Sequence, residues 1–262
     1  FLDKIVIFSF FVDALTKQPS LVHGTSSRCY VLNGERKPLC SSEKGSGELF
    51  FEHQKIFLHS LGIGRKVLFH VTQVHGNHVY VLKDPDIFAS EVTQCEADAI
   101  ITHIPGCPIM VLTADCVPIV IYDPIKHVAG VVHAGRIGTQ KHILTNTIET
   151  FSREYTSNPK DLIVGMGPAI RGCCYDVDES CARPFIRESS SHLGFVNRTG
   201  QNKFFLDLPK INRIEACEAG VPMGNIFSDG PCTSCENHLW YSYRKEGKTG
   251  RLMTMVMLQS RK

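Results

Sequence analysis

The chain has 262 residues, 43% of them hydrophobic and 21% charged, with a formal net charge of +2. These are the proportions of an ordinary globular protein with a sizeable core. With no dense basic run, they argue against a nucleic-acid partner. Eleven cysteines, an odd and irregularly spaced set, argue against a disulfide framework and for a reduced, cytoplasmic protein.

The first apolar run, "IVIFSFFV" (Ile5 to Val12), is too short to cross a bilayer and lacks a small-residue cleavage site, so it reads as a strand rather than a signal peptide. No other stretch is a membrane candidate. Gly34 to Gly47, "GERKPLCSSEKGSG", reads as a polar loop. Phe50 to Ser60 carries apolar residues at helical spacing and closes on "LGIG". "VLFHVTQV" and "VYVL" read as two strands around a turn at His75 to His78, and "ADAIIT" as a third strand. "PIMVLT", "PIVIYD" and "HVAGVVH" are continuous apolar runs, the pattern of strands covered on both faces. Thr139 to Tyr155 reads as one helix, "DLIVGMG" as a strand, Asp178 to Glu188 and Leu208 to Ala219 as helices, and "LWYSYR" and "RLMTMVML" as closing strands. Many strands with a few outer helices imply an α/β or α+β fold, one sheet packed on another or between helix layers.

Three polar groups fall at strand ends: His75 in "TQVHGN", Cys116 in "TADCVP" and His133 in "VVHAGRIGT". Ends of neighbouring strands converge on rigid scaffolds, and loops held there carry function. One thiolate and two imidazoles suit zinc, with copper as the alternative. Three protein ligands leave a fourth position for water or substrate. The spacing, 41 residues and then 17, matches no local zinc motif, so structural histidines are the plainer reading of position alone. A metal-free reading makes Cys116 a nucleophile with His133 as its base. Asp115 and His78 are further acid–base candidates. His127 reads as a turn residue.

Cys173 and Cys174 in "GPAIRGCCYDVDES" and Cys232 and Cys235 in "CTSC" read as buried thiols, with a second metal site as the alternative. For an anion such as phosphate the candidates are Arg28 in "HGTSSR" and Arg136, which opens a helix after "HAG" and has free N–H groups beside it.

Taken in order, "QVHG", "ADAIIT", "TADCVPIVIYD", "GVVHAGRIGT", "GPAIRGCCYDV", "CTSC" and "WYSYRKEGKTGR" resemble the laccase-domain family. Its members are also described as multicopper polyphenol oxidases, purine nucleoside phosphorylase-like proteins and peptidoglycan editing factors. The resemblance runs from about Leu21 to the C-terminus. It implies one domain over residues 1–262, of α/β/β/α layered type with mixed sheets, similar to a toxin deamidase with a Cys–His pair. It implies that His75, Cys116 and His133 are the metal ligands and catalytic residues, with zinc, or alternatively copper, as cofactor. It further implies a nucleoside as the small-molecule partner and phosphate as co-substrate, for phosphorolysis of adenosine, inosine and S-methyl-5'-thioadenosine and hydrolytic deamination of adenosine. Phenol oxidation and a Cys116-dependent hydrolysis of peptidoglycan precursors are the competing activities. The expected assembly is a monomer or homodimer. Relatives usually carry Trp and then Arg or Lys after "HAG", where this chain has Arg136 and Ile137. Blue-copper and trinuclear sites use His-x-His pairs, and none of the twelve histidines forms one.

Overall fold

Two sheets stacked face to face form the middle of the molecule. The computed structural model describes residues 5–40, 47–64, 66–84, 95–188, 196–199 and 203–261. The first sheet holds β1 (Ile5–Phe10), β2 (Leu21–Leu32), β3 (Glu35–Pro38), β6 (Ile109–Thr113) and β14 (Leu252–Leu258), in the order β1-β2-β14-β6 with β3 hairpinned onto β2. Every pair in it is antiparallel. The second sheet holds β4 (Val79–Leu82), β5 (Ala99–Thr102), β7 (Val117–Asp123), β8 (Val128–Ala134), β9 (Ile163–Met166) and β13 (Ile226–Phe227), in the order β13-β9-β7-β8-β5-β4. It is mixed, parallel at both edges and antiparallel in the middle.

Side-chain alternation builds the layers. In β14, Met253, Met255 and Met257 pack under helix α2 (Glu48–Ser60) with Phe50 and Phe57, while Val256 and Leu258 face the second sheet. In β7, Val120 and Tyr122 meet the first sheet. Ile119 and Ile121 point outward to α4 (Ile143–Tyr155) and α6 (Leu208–Glu218). The order is therefore α/β/β/α, with each central strand buried on both faces, and the fold is mixed α/β, built on one antiparallel and one mixed sheet. A short helix α1 (Asp13–Thr16) and a helix α5 (Glu179–Glu188) add to the periphery. So does a small antiparallel sheet of β10 (Asp176–Asp178), β12 (Lys203–Leu206) and β11 (Val196–Thr199). No helix among the described residues is long and apolar enough to cross a membrane.

Four expectations change. Residues 67–74 are not a strand. Phe69 bridges Ile109 of the first sheet and Thr72 bridges Glu96, so the segment passes between partners without a ladder. The polar stretch from Gly34 begins as a hairpin. Asn33 (φ 52°) and Gly34 (φ 84°) take the left-handed conformations of a tight two-residue turn, and β3 returns along β2. Residues 41–46 of that stretch lie outside the described set. The helix expected from Thr139 is broken at His142 (φ 57°) into α3 (Arg136–Gln140) and α4. Asn77 donates to the Lys141 carbonyl at 3.0 Å and Asn212 to Thr139 Oγ1 at 3.0 Å, holding α3 away from the axis of α4. "LWYSYR" is not a strand. Trp240 and Tyr241 are buried as an aromatic plug against Leu252, and the chain then turns into α7 (Tyr243–Glu246).

Candidate metal centre

One rim of the second sheet collects the polar groups. The β7–β8 register sets Val117 against Ala134 and Pro118 against His133, while β5–β8 sets Ala99 against Val132. Cys116, His133 and Asp98 therefore emerge at the same end of three neighbouring strands. β4 runs parallel to β5 with Val79 opposite Ala99, which brings the preceding loop and His75 to that end as well. Cys116 occupies the crossover where the chain leaves β6 of the first sheet and enters β7 of the second.

The three donor groups lie within 4.8 Å of one another. The rings of His75 and His133 are 4.7 Å apart between centroids. The fully buried Asp98 anchors the set. Its Oδ1 accepts from His133 Nδ1 at 2.7 Å and from the His75 N–H at 3.0 Å, and its Oδ2 accepts the Gly76 N–H at 2.6 Å. A carboxylate on Nδ1 directs the other ring nitrogen of His133 toward the centre, the usual arrangement behind a ligating histidine. Gly135 completes the cradle. A Cβ there would stand 3.0 Å from Cys116 Sγ and 3.4 Å from His75 Nδ1, in the space between the donors. Two imidazoles and a thiolate around this space fit a zinc ion with one open position.

Two centre residues hold backbone conformations that L-residues rarely adopt, His75 (φ 56°) and Asp115 (φ 86°). Such conformations persist where surrounding bonds over-determine them. Asp115 Oδ1 accepts from Thr233 Oγ1 and Oδ2 from the Arg244 N–H, both at 2.6 Å, and its carbonyl accepts the Ile170 N–H. Both carboxylate oxygens are therefore engaged in positioning the Cys116 turn. His78 binds the Glu96 carbonyl through Nδ1 at 2.8 Å and is exposed. His127 lies in a turn (φ 57°) with Nε2 on the Gln259 carbonyl.

Charge is shared along the carboxylate–imidazole–thiol line. Burial pulls His133 down, but the charge of Cys116, hydrogen bonds to Asp98 and Cys116, and the charge of Asp98 together raise it to about 9. Burial pushes the Asp98 carboxyl up, but the His133 hydrogen bond and charge and the Gly76 and His75 N–H groups hold it below the usual carboxylate range. His75 is lowered, first by burial and then by the charge on His133. A metal ion at these atoms would take the place of the shared proton.

The centre opens into a cavity of about 960 Å³, at the upper end of the range for small-molecule sites. Leu112, Ile170 and Leu208 supply apolar wall, and Arg136, Arg244 and Arg251 supply positive charge. Arg244 pairs with Asp176 at 2.8 Å and lies over the Tyr175 ring, 4.9 Å from its centroid. Arg251 donates to the carbonyls of Thr249 and Gly250. Arg28 is not among the lining residues. Its guanidinium pairs with Glu246, donates to the Asn237 carbonyl and stacks over Tyr241. Arg136 does line the cavity, although α3 is only five residues long and offers little helix dipole. Sequence reasoning missed Asp98, Tyr175, Arg244 and Arg251. Asp98 and Tyr175 stood inside motifs already singled out, and Arg244 and Arg251 flank the "KEGKTG" run.

The model of a family described as multi-copper polyphenol oxidoreductase laccase matches residues 45–259. Among curated proteins, the chain is 36% identical over 160 residues to purine nucleoside phosphorylase YlmD of Bacillus subtilis, covering 61% of this chain and 58% of that one. It is 33% identical over 194 residues to the protein of the same name from Geobacillus stearothermophilus, covering 70% and 69%. It is 28% identical to purine nucleoside phosphorylase LACC1 of Mus musculus, covering 75% and 44%. The alignments thus span about half to two thirds of these relatives. Among solved structures, the YfiH protein of Bacillus licheniformis superposes with a TM-score of 0.81 at 26% identity, covering 91% and 93%. YlmD from Geobacillus stearothermophilus superposes with a TM-score of 0.80 at 26% identity, covering 93% of each chain.

Proposed function

Because the chain belongs to the multi-copper polyphenol oxidoreductase laccase family, with relatives named purine nucleoside phosphorylases, we propose that it is a zinc-dependent purine nucleoside enzyme. Its reactions are phosphorolysis of adenosine, inosine and S-methyl-5'-thioadenosine and hydrolytic deamination of adenosine. The observation that carries this reading is the convergence of His75, Cys116 and His133 on one rim, in a cavity that also holds three arginines. A zinc ion bound there supplies Lewis acidity and a water acidified toward neutral pH.

The protein's own groups do the rest. Asp98 fixes the tautomer and tilt of His133 and the backbone of the His75 loop. Arg136, with Arg244 and Arg251 nearby, places phosphate by charge-assisted hydrogen bonds. In phosphorolysis a phosphate oxygen bonds to C1′ of the ribose as the bond from C1′ to the base breaks. In deamination water adds at C6 of adenine and ammonia leaves. Leu112, Ile170 and Leu208 keep bulk water from the nucleoside.

The test is an assay of the purified chain on adenosine with and without phosphate, beside metal analysis. Adenine and ribose 1-phosphate are expected with phosphate, and inosine and ammonia without it. A Cys116→Ala protein with full nucleoside activity and full metal content would overturn the reading. One observation favours a second reading. The Asp98–His133–Cys116 line, with His133 raised to about 9, is also that of a cysteine hydrolase. That enzyme would work without metal and lose activity when Cys116 is alkylated. A multicopper oxidase gains no support from the ligands. The two clusters able to hold metal among the described residues carry only two histidines between them.

A further inference from the structure

Cys173, Cys174, Cys232 and Cys235 are 57 or more positions downstream of Cys116 and outside the cavity lining, yet their four sulfurs lie within 4.8 Å of one another. Cys235 Sγ is 3.6 Å from Cys173 Sγ and 3.4 Å from Cys174 Sγ, and all four are free thiols. Four thiolates about 2.3 Å from a tetrahedral zinc would stand roughly 3.8 Å apart, so the sulfurs already have nearly that spacing.

We propose that these four cysteines form a second zinc site, a closed tetrathiolate that is structural rather than catalytic. Four protein sulfurs leave no open position for water or substrate, and an all-sulfur set selects zinc over hard cations. The backbone is already arranged for it. The Cys174 and Tyr175 N–H groups both close on the Arg171 carbonyl, folding Cys173 and Cys174 into one tight turn. Ala169 bridges Cys232, so the two cysteine segments are neighbours before any metal binds.

The site clamps two walls of the cavity together. One segment leads directly into Tyr175, a lining residue. The other carries Thr233, which holds Asp115 next to Cys116, and Ser234, whose carbonyl accepts from Lys245 Nζ at 3.1 Å. Zinc here would stabilise the loops that carry the catalytic centre without touching substrate. The proposal does not depend on which reaction that centre performs.

The test uses the full chain with Cys116→Ala, which removes the one thiol of the first centre. Loaded with cobalt in place of zinc, this variant should show the intense sulfur-to-cobalt charge-transfer and visible bands of a tetrathiolate. Zinc should displace the cobalt and abolish the bands. Adding Cys232→Ser and Cys235→Ser to Cys116→Ala should remove them. Native protein purified with its metals should hold about two zinc ions per chain, and Cys116→Ala should retain the thiolate-bound one. Overturning results are a Cys116→Ala protein with no thiolate–cobalt bands, or native protein in which mass spectrometry after alkylation without reductant finds these cysteines paired as disulfides. The cobalt spectrum of Cys116→Ala alone decides the matter even if the triple variant does not fold.

Discussion

Asp98→Asn is the sharpest probe of how the centre is held together. The carboxylate is fully buried and accepts from His133 Nδ1 and from the N–H groups of His75 and Gly76, at 2.7, 3.0 and 2.6 Å. Asparagine keeps the size but has one acceptor oxygen. If that oxygen serves His133 and His75, the new NH₂ group faces the Gly76 N–H, donor against donor, and the reverse orientation strands His133. Each buried group left without a partner costs about 1–3 kcal/mol, so the metal-free variant should lose about 2–4 kcal/mol. With a urea dependence of about 3 kcal/mol per molar, the unfolding midpoint falls by roughly 1 M. Loss of the carboxylate behind a ligating histidine typically weakens metal binding about 10–100-fold. Competition against a chromophoric chelator measures this separately. A variant with the native midpoint and native metal affinity would refute the assignment of Asp98 as the anchor. Full metal affinity in a destabilised variant would refute its role in orienting His133.

Gly135→Ala places a methyl group 3.0 Å from Cys116 Sγ and 3.4 Å from His75 Nδ1, so it should fold yet bind metal at this centre at least tenfold more weakly, as the same chelator titration reads. Arg136→Ala should raise KM for phosphate roughly 10–100-fold, the equivalent of one or two charge-assisted hydrogen bonds, whereas Arg28→Ala should leave it unchanged and lower only thermal stability. Steady-state kinetics with varied phosphate decides, and the reverse pattern would return the phosphate site to Arg28. His23 accepts the Val12 N–H on Nε2 at 3.0 Å and is lowered by burial from 6.5 to about 4. The unfolded chain therefore takes up the proton first as pH falls. This contribution is fully present above pH 6.5 and is lost between 6.5 and 4, by at most about 3 kcal/mol. His23→Gln should flatten the urea midpoint over that window, and an unchanged acid profile would contradict the burial of a neutral imidazole.

The central strands were legible because burial on both faces writes unbroken apolar runs such as "PIVIYD" and "HVAGVVH", and polar residues at their ends then stand out. That contrast is what brought His75, Cys116 and His133 forward, and they converge. Asp98 immediately precedes a similarly apolar strand, but its importance depends on a loop more than twenty residues earlier, and local pattern carries no trace of that pairing. The pairing of Arg28 is hidden for the same reason. Its partner Glu246 is 218 positions away, and a basic residue in a polar turn looks available until the fold supplies the acid. The aromatic content of "LWYSYR" satisfies a strand propensity, yet Trp240 and Tyr241 fill a gap at the end of the first sheet, where burial rather than pairing decides their conformation. The break at His142 depends on side-chain bonds from Asn77 and Asn212, both remote in the chain.

The position of Cys116 on the crossover has a consequence for variation far from the cavity. His133 lies in β8 and Asp98 directly before β5, both strands of the second sheet, whereas the thiol is tethered on one side to β6 of the first. The distance between thiol and imidazole therefore gauges the alignment of the two sheets. A volume change at Val111 or Val120, in the layer between them, would shift one sheet over the other and detune the centre while every residue touching it stayed the same. Activity loss in such variants would report sheet alignment before any loss of folded protein was visible.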